Sequence, residues 1–187
     1  MNYKEMKKKV LALIEELNPN SAMLTDDPDI AAKYNEVTNQ VMYEMARMKK
    51  LPKYVEIPVV KSQLLSFGDI ESEIGNKVYQ IKKVSGVAVE SKAEGTVQKI
   101  LEDGTAEIEC FVFPKRITDE NADNYEFELS PDALEVLPYG IAGDLLKSDV
   151  SADYGAVYSK RFTDMIQVLD SRYQIPSITI EGGVDFG

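Results

Sequence analysis

The sequence predicts an α+β protein: a helical bundle with an antiparallel β-sheet or small sandwich inserted between its second and third helices, and an extended C-terminal arm. Three observations carry this reading. Apolar residues recur at helical spacing in the first 50 residues and again after Ser130. Between Tyr54 and Leu129 the period falls to two, in short β-rich runs separated by Gly, Asp and Asn. From Pro176 onward apolar and polar residues alternate.

The first helix is expected over Tyr3–Leu17, with Met6, Val10, Leu13, Ile14 and Leu17 on one face. Asn18-Pro19 breaks it. In "TDDPDI", Asp27 is placed as an N-cap, and Pro28 takes the first helical position, where its missing N–H costs nothing. The second helix then runs to about Lys49, with Ile30, Tyr34, Val37, Val41 and Met45 as its apolar stripe. The β-rich runs are "YVEIPVV", "KVYQIKKV", "GVAVES", "GTVQKIL", "TAEIECFVF" and "YEFEL". Asp103-Gly104 reads as a type I′ hairpin turn, because both central residues of that turn need positive φ. After it Ala106, Ile108, Cys110 and Val112 share a face, which makes Cys110 a small core residue.

Ser130 as N-cap and Pro131 at the first position open a third helix, with Leu134, Leu137, Ile141 and Leu145 inward. Pro138 lies inside it and removes a backbone hydrogen bond, so Pro138 and Gly140 mark a kink or a close approach by another backbone. A last helix, about Ala152–Leu169, carries Tyr154, Tyr158, Phe162, Met165 and Leu169, either to pack on the other helices or to form a subunit interface. The expected organisation is 1–52, N-terminal helices; 53–129, β-rich insert; 130–173, C-terminal helices; and 174–187, the arm.

Composition narrows the function. No run of about 18 apolar residues spans a bilayer, and the first residues lack a signal peptide's apolar core. The chain has no His and one Cys, which removes the commonest general base and the usual zinc shells. Thirty-two acidic against 21 basic residues give a net charge of −11, which disfavours gripping phosphates. The carboxylates at 26, 27 and 29 and at 119, 120 and 123 read as caps and solvated loops. Gly182-Gly183 has neither the Lys nor the following helix of a phosphate loop. No catalytic residue, cofactor site or metal site is assigned.

One stretch resembles a known family. "DALEVLPYGIAGDLLKSDVSADYGAVYSKRFTDMIQVLDSR" resembles the head-to-tail adaptor (connector) proteins of tailed bacteriophages and related prophage elements. The shared pattern is Leu137-Pro138-Tyr139-Gly140-Ile141-Ala142 with Leu145 and Leu146, then an acidic linker, then Tyr154, Tyr158, Arg161, Phe162, Met165, Leu169, Asp170 and Arg172 ahead of an extended tail. It consists of packing residues, and the β-insert departs from the purely helical small adaptors. The resemblance implies a non-enzymatic virion protein of the neck, assembled in the host cytoplasm. Its partners would be the portal protein, neighbouring subunits in a ring commonly of twelve copies, and a tail or stopper protein, with DNA passing through the bore without specific binding and no membrane involved.

Within the arm, Ile178, Ile180, Val184 and Phe186 share one face, and Thr179, Glu181 and Asp185 the other. These four apolar residues are the expected partner-binding set, through strand addition to a neighbour, the portal or the tail. The alternative is that the ribbon folds back on its own β-insert. A rival reading of the chain makes it a tail or baseplate component whose β-insert binds protein or carbohydrate through Tyr54, Tyr79, Phe111, Phe113, Tyr125 and Phe127, residues that otherwise read as core aromatics.

Overall fold

The computed structural model describes residues 1–92, 96–147 and 152–173. They form an α+β protein with five α-helices and two three-stranded antiparallel sheets. Helix α1 spans Tyr3–Leu13, four residues shorter than its apolar stripe predicts. Asn2 and Glu5 close a reciprocal capping box at its start. At its end the N–H of Glu16 donates to the carbonyl of Leu11 at 2.9 Å and Glu15 adopts φ 62°, a left-handed closing turn made without glycine.

Helix α2 spans Pro28–Met45 and starts as expected: the Asp27 carboxylate accepts from the N–H groups of Asp29 and Ile30. Its buried face holds Ile30, Tyr34, Val41 and Met45, and also Thr38 and Asn39. A π-helical turn, Ala46–Lys50, leads into the β segment.

Strands β1 (Pro52–Val59), β3 (Val78–Ser85) and β6 (Gly104–Val112) make one sheet in the order β1-β6-β3; β2 (Leu64–Ser66), β5 (Val97–Ile100) and β4 (Val89–Lys92) make the other in the order β2-β5-β4. Ala106, Ile108, Cys110 and Val112 are all buried on the inner face of β6, as their alternation requires. Burial raises the Cys110 thiol's pKa, and the Glu109 charge adds to this.

The Asp103-Gly104 hairpin does not form, because β5 and β6 belong to different sheets. Asp103 instead accepts from the N–H of Lys61 at 2.6 Å and Glu102 from that of Ala88 at 2.7 Å, so these side chains fix a crossing loop. Gly104 enters β6 opposite Val59. "YEFEL" is no strand either. It makes a single bridge, Asn2 with Glu126, and lies extended against the start of α1 with Tyr125, Phe127 and Leu129 turned inward. An isolated extended segment can show strand alternation without a strand partner.

A short helix, α3 (Phe67–Ile74), is an addition to the sequence reading. Ser66 and Asp69 cap it reciprocally, and Gly75, at φ 71°, ends it.

Glu128 fastens this region together. Its carboxylate accepts from the side-chain amide of Asn76 at 3.0 Å and the N–H of Lys115 at 3.3 Å, and pairs with Lys53 on β1 at 3.2 Å. Burial pushes its pKa up, but the Asn76 bond, the Lys53 charge and the Lys115 N–H together hold it below the ordinary 4.5. A carboxylate depressed in the folded state contributes stability above its unfolded pKa and loses it as pH falls through the folded value. The Tm gap between the native chain and Glu128→Gln is therefore expected to close as pH drops from about 6 to about 3; a gap constant with pH would contradict this role.

Helix α4 (Pro131–Leu145) is buried almost all round, since Ala133, Val136, Pro138, Gly140, Ala142 and Gly143 join the expected Leu134, Leu137, Ile141 and Leu145. It packs on α1, α2 and α5 (Ala152–Tyr173) at once. The crossing with α5 is tight: a Cβ on Gly143 would stand 3.0 Å from the Ser159 backbone nitrogen and 3.2 Å from its Cα. Those atoms cannot swing aside as a side chain can. Gly143→Val is expected to destabilise by about 1–3 kcal/mol and lower Tm by roughly 5–10 °C; an unchanged Tm would show that α5 moves away freely.

Candidate partner interface

The expected partner-binding residues Ile178, Ile180, Val184 and Phe186 lie outside the described residues. Pro138 and Gly140 sit in the middle of α4, both buried. What approaches Gly140 is side chain, not backbone: an added Cβ there would meet Val41 of α2 at 2.6 Å and Phe162 of α5 at 2.7 Å. The backbone approach falls at Gly143, and at Gly155, where a Cβ would stand 3.1 Å from the Gly143 carbonyl oxygen.

That approach sets the rotation of α5. Gly155, Ile166 and Leu169 are buried, with Tyr158, Ser159, Phe162 and Met165 partly so. Tyr154 stands at the edge of that face and is 70% exposed, because Gly155 takes the position against α4 that the aromatic spacing assigns to Tyr154. The outer face leaves Val157 63% exposed, where an amphipathic helix normally carries polar residues. Nearby, the Arg161 guanidinium lies 4.4 Å over the Tyr139 ring.

Beside Tyr154 a cleft of about 270 Å³ opens, lined by Leu13, Ile14 and Glu15 at the end of α1, Leu146 at the end of α4, and Tyr154 and Tyr158 of α5. The Tyr158 hydroxyl donates to the Leu13 carbonyl, which ties the first turns of α5 to the last turn of α1. The early stop of α1 makes this cleft. A continuous helix to Leu17 would carry the chain onward where the left-handed turn at Glu15 now reverses it.

Of the six aromatics of the β segment, five pack. Tyr79 stacks between Phe111 and Phe113, and Tyr125 meets Phe127 edge to face. Tyr54 is 72% exposed on the outer face of the first sheet, above a cleft of about 340 Å³. Its hydroxyl donates to Glu109 at 2.9 Å, and the Lys82 ammonium on the same carboxylate holds Glu109 below the usual carboxylate range. Glu56 and Glu107 stand directly opposite on neighbouring strands, a like-charge pair that weakens the ladder there.

The acidic runs serve structure. Asp119 accepts from Asn35 at 2.8 Å, and Asn35 in turn accepts from the Tyr3 hydroxyl at 2.6 Å. Burial, with the charges of Asp119 and Asp123, pushes that hydroxyl up to about 12. Asp26 accepts from Asn18, and Asp29 pairs with Lys33. Among the described residues no group of three or more His, Cys, Asp or Glu is placed to hold a metal ion, and no helix is long and apolar enough to cross a membrane.

No protein-family model and no curated protein matches this chain.

Proposed function

We propose that the chain is a structural virion protein, a head-to-tail adaptor that docks as a ring on the portal and joins capsid to tail, with DNA passing through its bore. In this reading helices α1, α2, α4 and α5 form the ring-building bundle, the β segment is an insertion on it, and the C-terminal arm engages a neighbour, the portal or the tail. The observation that carries the proposal is that α5, the helix at the centre of the adaptor-like segment, leaves large apolar residues uncovered beside a fixed contact. The helix is locked against α4 through Gly143 and Gly155, and it leaves Tyr154 at the edge of that contact and Val157 on its outer face exposed to solvent. Tyrosine is among the residue types enriched at the anchoring points of protein interfaces. The net charge of −11 suits a conduit that must not retain DNA.

Removing the chain from particle assembly should leave filled heads and free tails that do not join, and supplying it should restore joining. Tails that attach without it overturn the proposal. Pro138 belongs to the same reading, as the bend needed for ring packing. Pro138→Ala should leave the monomer folded, or more stable, and lower its incorporation into particles; unchanged incorporation would leave Pro138 as a tolerated interruption.

Exposure of Tyr54 favours a second reading, in which the chain is a tail or baseplate component that binds protein or carbohydrate on the outer sheet face. Saturable binding of the full chain to an immobilised glycan, lost in Tyr54→Ala, would select it.

A further inference from the structure

Beside the first turns of α1 lies a cleft of about 490 Å³, within the roughly 300–1,000 Å³ that holds a small ligand. Its lining carries both signs of charge. Lys4, Lys7 and Lys8 come from α1, and Asp119 and Asp123 from the segment between β6 and α4. Met23 and Leu24 add apolar surface, and Met23 is 60% exposed.

Tyr3 holds the two sets of charges in separate places. The Lys7 ammonium lies 5.9 Å from the centre of the Tyr3 ring and 5.1 Å from that of Tyr34, where burial lowers its pKa below the ordinary value. The Tyr3 hydroxyl leads to the acidic side, since it donates to Asn35, whose amide donates to Asp119 Oδ1 at 2.8 Å. Asp123 sits in the 3₁₀ turn Ala122–Asn124, which is tied to α1 by the Tyr3 N–H donating to the Tyr125 carbonyl at 3.0 Å. Five charges thus share one cleft without neutralising one another. Among the described residues none of Lys4, Lys7 and Lys8 pairs with a carboxylate, whereas Lys9 on the same helix pairs with Glu135 at 2.8 Å.

A ligand of one sign meets attraction from one set of these groups and repulsion from the other. A dipolar ligand is attracted by both. A short peptide has the required form, because its extended backbone separates ammonium from carboxylate by about 3.3 Å per residue and so can bridge charges that do not reach each other. We infer that this cleft binds a short peptide with free ends, its carboxylate on the α1 lysines, its ammonium on Asp119 and Asp123, and an apolar side chain against Met23. The site is independent of the adaptor reading and needs no ring, portal or tail.

The test is isothermal titration calorimetry of the full-length protein with the tripeptide Ala-Leu-Ala at low ionic strength, where surface charges are least screened. Saturable binding with a Kd below about 1 mM is expected. It should weaken at least tenfold when the tripeptide is N-acetylated and at least tenfold when it is C-amidated, comparisons that leave the protein unaltered. Asp123→Asn, at an exposed position, should weaken the free tripeptide and shrink the effect of acetylation, and Lys4→Gln combined with Lys8→Gln should do the same for amidation. No saturation up to about 10 mM tripeptide overturns the inference. Binding that is indifferent to either end modification, or to both sets of protein variants, also overturns it. Binding of inorganic phosphate without binding of the tripeptide makes the cleft a simple anion site and overturns it as well.

Discussion

Replacing Asn39 by leucine is expected to destabilise the fold by about 2–6 kcal/mol, the largest loss from any single substitution considered. Asn39 is buried on α2, and its amide spans the backbone of Ile117: the Asn39 Nδ2 donates to the Ile117 carbonyl at 2.9 Å, and the Ile117 N–H donates to Asn39 Oδ1 at 2.8 Å. Leucine matches the volume and satisfies neither group. Each buried backbone group left unpaired costs about 1–3 kcal/mol. The two bonds also hold the loop between β6 and α4 on the helix, where Asn121 braces it through Arg116 and Thr118. Asn39→Asp should be intermediate, since it keeps the acceptor for the N–H but sets a carboxylate against the carbonyl. Denaturant unfolding reads the effect, and a loss under about 1 kcal/mol for leucine would mean that water replaces the amide.

The second large effect concerns the arm. Replacing Ile178 and Ile180 together by aspartate is expected to remove about 3–6 kcal/mol of docking free energy, from about 1.5–3 kcal/mol for each buried aliphatic side chain. That is a loss of affinity of at least a hundredfold. Tm should not change, because the core of the described residues is complete by Leu169. Deletion of Ser177 should weaken docking nearly as much, since a one-residue slip turns the apolar set to the other side of the ribbon. A fall in Tm with either variant would show that the ribbon folds back on its own β segment. Unchanged docking would show that the arm takes no part.

Much of the helical part was legible because its signals are local. Asp27 and Pro28 begin α2, and Ser130 and Pro131 stand at the start of α4. Even there the chemistry differs in detail: Ser130 holds the N-cap position, but its hydroxyl makes no capping bond. The Ser66–Asp69 box and Gly75 of α3 were equally local, but "LLSFGDIESEIG" sits among β-rich runs and its helix is only eight residues long. Other features depend on distant partners. Asp103-Gly104 has the composition of a hairpin turn, and the outcome was decided by Lys61 and Ala88, whose N–H groups claim the neighbouring carboxylates.

The cleft was least legible. Its existence depends on Glu15 taking a left-handed conformation that favours glycine, and on Gly155 rather than Tyr154 facing α4. Periodicity ranks an aromatic above a glycine as a core position. Close helix crossing reverses that order, because only the residue without a side chain admits the neighbouring backbone.

The central claim, that this chain is a portal-docking adaptor, is tested most directly by native mass measurement and negative-stain imaging of the full-length protein mixed with the portal ring of the same phage or element. The account predicts an added ring at one end of the portal, with as many copies of the chain as the portal has subunits or a fixed ratio to them, and loss of that ring on replacing Ile178 and Ile180 by aspartate. A portal that keeps its own mass and outline at saturating concentrations of the chain would contradict it.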